Sequence, residues 1–181
     1  MGVAKEKKVL RKLISDLKSQ TSPQQMADES REIIASIERL EVFKMARTVL
    51  AYWPIAGEVD LRDLMRRWQT TKTFLLPVVK DDNLEIRRFD GEASLAKGPS
   101  YGILEPTGPA FQAFNQIDLV LVPGVAFDRE GYRLGRGKAY YDRLLPKLTR
   151  AHKLGIAFSF QLVEKVPSEP HDELMDAIVS C

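Results

Sequence analysis

Cysteine is nearly absent from this chain: its 181 residues hold one, Cys181, at the very end. A single thiol cannot close an internal disulfide, which points to a cytoplasmic compartment. Histidine is as scarce, with His152 and His171 alone, so no Cys/His cluster suggests zinc. His152 reads as the opening of a strand, and His171 as a residue that fixes the loop before Asp172. Net charge is small as well. Against 27 Lys and Arg stand 25 Asp and Glu, leaving +2, so any basic chemistry must be local. No apolar run approaches the length of a membrane span. The opening "MGVAKEKKVLRKLISDLKSQ" is basic, without a signal-peptide core or cleavage site. Glu6 stands where a myristoylation motif needs Ser or Thr. The expectation is a soluble, cytoplasmic protein with no membrane partner.

What is present suits one domain spanning residues 1–181, with 44% apolar and 29% charged residues. Leu10, Leu13, Ile14 and Leu17 recur at helical spacing, flanked by Lys7, Lys8, Arg11 and Lys12. "TSPQQ" then predicts a helix start, with Ser22 as cap, Pro23 in the first turn and Gln25 completing a capping box. That helix runs on through Ile33, Ile34 and Ile37. "TVLAYWP", Thr48 to Pro54, reads as a buried strand, and Asp60 as the cap of a helix bearing Leu61, Leu64, Met65 and Trp68. "TFLLPVV" and the alternating "LEIRRF" are further strands, the second nearer an edge. Glycine and proline are dense from Asp90 to Pro109, which predicts an ordered loop. "IDLVLVP" is apolar on both faces, as parallel strands are. A helix from about Lys138 to Leu145, the strand "HKLGIAF" and the strand "DAIVS" follow. Alternating strands and helices predict a three-layer α/β fold with a mostly parallel sheet.

One segment asks for more than a fold. In "PGVAFDREGYRLGRGKAYYD", Gly124, Gly131, Gly135 and Gly137 are interleaved with cations just past the strand "IDLVLVP". In open α/β sheets, ligands bind beyond such strand ends. Gly135 and Gly137 let backbone N–H groups turn toward an anion, Arg133, Arg136 and Lys138 add charge, and a helix opening near Ala139 adds its positive end. Polyphosphate is the ligand these devices share. The segment is neither a Walker A loop, since Ala139 replaces the Ser or Thr that meets magnesium, nor a dinucleotide fingerprint, since Tyr140 replaces the third glycine. A solvated basic hairpin touching RNA is the other reading.

The same segment closely resembles the signature of the 5-formyltetrahydrofolate cyclo-ligase family. "KKVLR" in the first helix, "YWPIAGEVD" after the first strand, "YGILEP" mid-chain and "VPSEPHDELMDAIV" near the end extend the resemblance over most of the chain. Ala139 departs from it, since the family usually has glycine there. The resemblance implies a Rossmann-like α/β sandwich. It also implies an ATP- and Mg²⁺-dependent cyclisation of 5-formyltetrahydrofolate to 5,10-methenyltetrahydrofolate, with ATP and the folate as partners, no nucleic acid, and a monomer.

Carried onto matching positions, it assigns ATP to Lys7, Arg11 and the run Arg133, Leu134, Gly135, Arg136, Gly137, Lys138, Ala139, Tyr140 and Tyr141. Arg136 and Lys138 become the catalytic residues, stabilising the phosphoryl group in transfer. Lys7 and Arg11 lie four apart on one helix face and can reach a common anion. Trp53, Glu58 and Tyr141 fall to the folate: an aromatic face for the pterin and a carboxylate for its N–H groups. Tyr101 is a weaker candidate for the pocket wall. Asp142 and Asp172 become the Mg²⁺ ligands, with Asp176 the rival. A relative without turnover that binds nucleotide or RNA is the alternative, and RNA binding would need none of Glu58, Asp142 and Asp172.

Overall fold

A computed structural model describes residues 2–98, 103–169 and 172–181. The helical spacing of the N-terminal leucines becomes α1 (Val3–Gln20), which buries only Ile14 among its residues. Helix α2 (Pro23–Arg39) starts as expected, with Ser22 Oγ accepting from the Gln25 N–H and Pro23 in the first turn. The capping box is only half made. The Gln25 amide reaches forward to Glu29 instead of back to the cap. A short helix not foreseen in the sequence, α3 (Glu41–Met45), leads into strand β1 (Thr48–Leu50).

The strand expected over Thr48–Pro54 is therefore shorter, and the chain leaves the sheet before Trp53. Helix α4 (Arg62–Trp68) begins past Asp60, whose carboxylate accepts from the Arg62 N–H and pairs with its guanidinium. Strands β2 (Thr73–Lys80) and β3 (Asn83–Arg88) form an antiparallel pair. The region expected as a loop from Asp90 to Pro109 contains a small antiparallel ribbon, β4 (Leu95–Lys97) with β5 (Leu104–Pro106). Its Tyr101 lies outside the described residues.

Strand β6 (Leu119–Pro123) is followed by a second ribbon, β7 (Ala126–Phe127) with β8 (Arg133–Leu134). Helix α5 (Tyr140–Leu144) is five residues long, shorter than the Lys138–Leu145 expected, and continues as a 3₁₀ turn over Leu145–Lys147. Pro146 removes a donor there, which tightens the last turn. Strands β9 (His152–Ile156) and β10 (Ala177–Val179) complete the chain.

The main sheet has the order β10-β9-β6-β1-β2-β3, parallel except for β3 at the edge. Strand residues alternate between its two faces. Val49, Phe74, Leu76, Leu119 and Leu121 pack with Ile33, Ile37 and Leu64 on one side. Leu50, Leu75, Val120 and Val122 pack with Leu144, Leu145 and Leu148 on the other. The three-layer α/β sandwich is thus borne out.

Two features of this layout place the site. From β1 the chain steps to β2 on one side, and later enters β6 on the other. The ends of β1 and β6 therefore flank the point where strand order reverses, which is where open α/β sheets bind ligands. Second, α1 packs through Ile14, with Leu10 and Leu17, on Ala126 and Leu134 of the β7–β8 ribbon. The N-terminal helix is thereby held over the glycine-rich segment.

Candidate active site

Two adjoining cavities open at the ends of β1 and β6. The first is lined by Glu58 from the β1–α4 connection, Gly124 past β6, and Arg133, Arg136, Lys138, Tyr140, Tyr141 and Asp142. The second is lined by Lys7 and Arg11 of α1, Arg133, Leu134, Gly135, Gly137 and Ala139, and by both Asp142 and Asp172. Arg133, Gly135, Ala139 and Asp142 belong to both walls. Residues up to 165 positions apart thus meet across one cleft.

Four of the cations face a carboxylate or a carbonyl. Lys7 Nζ lies 2.9 Å from Asp172 Oδ2 and 3.2 Å from Glu169 Oε2. Burial works against the Lys7 charge, but these two hydrogen-bonded carboxylates outweigh it and hold the amine above the usual lysine range. Arg11 Nε donates to the Gly135 carbonyl at 2.9 Å. Arg133, only 5% exposed, donates to Asp142 Oδ1 at 2.6 Å, and its guanidinium lies over the Tyr141 ring, 5.5 Å from the centroid. Arg136 reaches across the cleft to Glu58 Oε1 at 2.9 Å. The Glu58 side chain is 10% exposed and accepts also from the Ile55 N–H.

The turn between ribbon and helix has unusual backbone. Gly137 sits at φ 97°, where a side chain would be strained, with the Arg11 guanidinium close by. Ala139, where the family usually has glycine, sits at φ 53° and ψ 22°, in the left-handed region. Gly135 has no such φ; a Cβ there would come within 2.9 Å of the Arg133 guanidinium. The expected contribution of a helix dipole is not supported, because α5 has only five residues.

Other expectations divide. Leu134 is buried among Ile14, Ala126 and Val166, so its side chain belongs to the support of the cleft. Trp53 is half-buried: it packs against the core beside Phe89, ring centroids 5.9 Å apart, and is not in the wall of either cavity. Strand β1 stops at Leu50, and Trp53 lies beyond its end. Tyr140 lines the first cavity with the Arg143 guanidinium over its ring.

Asp142 and Asp172 line one cavity. Asp142 pairs with Arg133, not with its neighbour Arg143. Asp172 also accepts from the Glu169 N–H. Asp176 lies elsewhere: it accepts from the Lys153 N–H and faces His152. His171 and Pro170 lie outside the described residues. Cys181 takes no part, since its thiol donates to the Glu29 carbonyl and is pushed up to about 11 by burial and the nearby Glu29 and Glu32.

Sequence reading missed Asp128. It is 1% exposed, and its carboxylate accepts from the Glu130, Tyr132 and Val166 N–H groups, tying the ribbon turn to the segment beyond β9. The "DREGY" turn was the available signal, since an aspartate opening a turn bonds to backbone two residues on.

The model of the 5-formyltetrahydrofolate cyclo-ligase family matches residues 3–181. The chain belongs to this family. It is thereby an enzyme, and the assignment matches the resemblance read from the glycine and arginine segment. The 5-formyltetrahydrofolate cyclo-ligase of Mycoplasma pneumoniae is 49% identical over 137 residues, covering 74% of this chain and 73% of that protein. The enzyme of the same name from Escherichia coli is 29% identical, covering 88% and 91%. Among solved structures, the 5,10-methenyltetrahydrofolate synthetase of Aquifex aeolicus superposes with a TM-score of 0.85 at 38% identity, covering 96% of this chain and 88% of that one.

Proposed function

We propose that this protein closes 5-formyltetrahydrofolate to 5,10-methenyltetrahydrofolate, using ATP with Mg²⁺ and releasing ADP and phosphate. The observation that carries the reading is the cleft itself. A cation-lined cavity with two aspartates adjoins a second cavity in which Arg136 and Lys138 stand beside Glu58 and Tyr141. Polyphosphate suits the cavity with the two aspartates, and a flat ring bearing N–H donors suits the one that holds Glu58 and Tyr141.

The formyl oxygen is a poor leaving group. Transfer of the γ-phosphoryl of ATP to it makes it a good one and leaves ADP. The folate N10 then attacks the formyl carbon, loses its proton, and the C–O bond breaks to free phosphate. Such chemistry asks the protein for positioning and charge, not for a covalent bond. Lys7, Arg11 and Arg133 hold the nucleotide phosphates in this reading. Arg136 and Lys138 flank the group in transfer, and Glu58 accepts hydrogen bonds from the pterin.

Asp142 and Asp172 fit Mg²⁺, which takes one or two carboxylates, keeps waters and completes its shell with phosphate. Both carboxylates line the same cavity, and both are engaged by cations that a phosphate chain would draw off. Bound there, the ion would neutralise charge on the phosphate oxygens.

Formation of the methenyl chromophore on mixing the protein with Mg-ATP and 5-formyltetrahydrofolate, matched by ADP release, tests the reaction. Changing Lys138 to Ala should lower kcat by roughly a hundredfold or more, the loss expected for a preorganised charge on a developing anion. An ATP-independent signal, or none together with RNA binding, would remove this reading.

A further inference from the structure

The turn that carries Glu58 is held both from inside and from outside. Within it, the Glu58 N–H donates to the Ile55 carbonyl at 3.0 Å, and the Glu58 carboxylate accepts from the Ile55 N–H at 3.2 Å. Just past it, the Tyr52 hydroxyl donates to the Val59 carbonyl at 3.0 Å. A further tie comes from α1, where Lys18 Nζ donates to the Ala56 carbonyl at 2.7 Å. The half-buried Lys18 chain lies directly over Gly57, and a Cβ there would collide with its end. Gly57 also sits at φ 81°, so backbone and lysine both call for glycine. Lys7, Arg11, Ile14 and Lys18 recur at helical spacing and share one face of α1. Lys7 and Arg11 line the cavity with the two aspartates, and Ile14 seats the helix on the ribbon. Lys18 stands about 16 Å further along the helix than Lys7, at 1.5 Å per residue. There it lines another cavity, with Arg11, Gly57 and Arg136.

We propose that Lys18 is a positioning residue for Glu58, holding the corner at Ala56 and Gly57 so that the carboxylate stands where the folate N–H groups arrive. This rests on the function proposed above, in which Glu58 accepts hydrogen bonds from the pterin. The bonds between Glu58 and Ile55 cannot fix that place, because they move with the turn. The Tyr52 bond anchors the chain only after Glu58. Arg136 holds the carboxylate in the empty cleft, but in the proposed reaction that cation serves the phosphate. Lys18 touches the turn from a helix that is itself fixed on the ribbon, and its tie survives when Arg136 is drawn off. A carboxylate set off line by a fraction of an ångström bends its hydrogen bonds and weakens recognition. The Lys18 bond is exposed to solvent, so its removal should change folding stability little. What it supplies is geometry.

Lys18→Met removes the donor and keeps an apolar stem over Gly57. Its calorimetric affinity for 5-formyltetrahydrofolate should fall roughly 5- to 20-fold, less than the full loss of a hydrogen bond to a charged group, because Glu58 is displaced and not removed. Affinity for a non-hydrolysable ATP analogue should not change, and the melting temperature should stay within about 2 °C of the parent. A double-mutant cycle decides the role. In a Glu58→Gln protein, Lys18→Met should cost no more than about twofold in further affinity, since both changes act on one contact. Full additivity of the two losses overturns the inference, because Lys18 would then act independently of Glu58. The same titration with 5-formyltetrahydropteroate, which lacks the glutamate carboxylates, should show the same loss. A loss confined to the glutamate-bearing folate would make Lys18 a direct ligand contact and overturn the positioning role. A fall of several degrees in melting temperature, or a loss of nucleotide affinity, would reveal a general support of α1 and also overturn it. Absence of folate binding by the parent protein, or undiminished binding by Glu58→Gln alone, would instead overturn the functional reading on which the inference stands.

Discussion

Ala139 shows how much one residue can carry in this site. It occupies the left-handed region at φ 53°, in the turn that joins Gly137 to α5. A side chain in that region costs roughly 1–2 kcal/mol, because Cβ crowds the following carbonyl. Replacement by glycine relieves this, while the extra freedom of the unfolded chain takes back about 0.4–1 kcal/mol. Ala139→Gly should therefore stabilise the protein by about 0.5–1 kcal/mol, read from the midpoint of urea unfolding. A destabilised variant would mean that the alanine methyl makes a contact worth more than the strain. The Tyr141 hydroxyl, buried and without a hydrogen-bond partner among the described residues, poses the same question for a side chain: local cost kept at a place where ligand is expected.

At the scale of elements, the β7–β8 ribbon decides whether the cations converge. It seats α1 through Ala126 and Leu134, and it places Arg133 and the glycine turn that follows. Asp128 holds the ribbon turn by accepting three backbone N–H groups, at 3.0, 3.0 and 2.8 Å. Asp128→Ala would remove the acceptor of three backbone N–H groups, one buried and two part-buried, and should cost about 2–3 kcal/mol. Chemical denaturation checks this directly. Asp128→Asn keeps one side-chain oxygen but turns an amide toward a donor, and should fall between the two. If the alanine variant unfolds at the parent midpoint, the ribbon is held by its apolar contacts alone.

Across the whole molecule, three cation–carboxylate pairs join parts of the site: Lys7 with Asp172, Arg133 with Asp142, and Arg136 with Glu58. Three of the site's cations are thus neutralised from within. A phosphate chain that recruits Arg136 would free Glu58 to accept hydrogen bonds from the folate. The two substrates should then bind with positive coupling, about tenfold in affinity, within the usual range for linked sites. Titration of 5-formyltetrahydrofolate with and without Mg²⁺ and a non-hydrolysable ATP analogue measures it. In Arg136→Gln the folate should bind more tightly on its own, and the enhancement by nucleotide should shrink toward none. Equal folate affinity in both conditions for the parent protein would show that the Arg136–Glu58 pair does not link the sites.

Composition and periodicity by themselves determined the fold class. "IDLVLVP" is apolar on both faces, as parallel strands are, and "TFLLPVV" reads as another strand, while Ser22-Pro23 marks a helix start by local hydrogen bonding. The glycine and arginine segment was legible for a related reason, since its chemistry is concentrated in consecutive residues. Element ends were less so. Thr48–Leu50 is a shorter strand than its apolar run suggests, because Ala51 and Tyr52 are buried beyond the strand end and look like strand residues in sequence. What only the tertiary structure decided were pairings between distant parts of the chain: Asp172 with Lys7, Glu58 with Arg136, and Trp53 against Phe89. Such contacts depend on strand order and on the seat of α1, which no local pattern encodes. The unpaired state of the Tyr141 hydroxyl belongs there too, because a missing partner is a property of the surroundings and not of the residue.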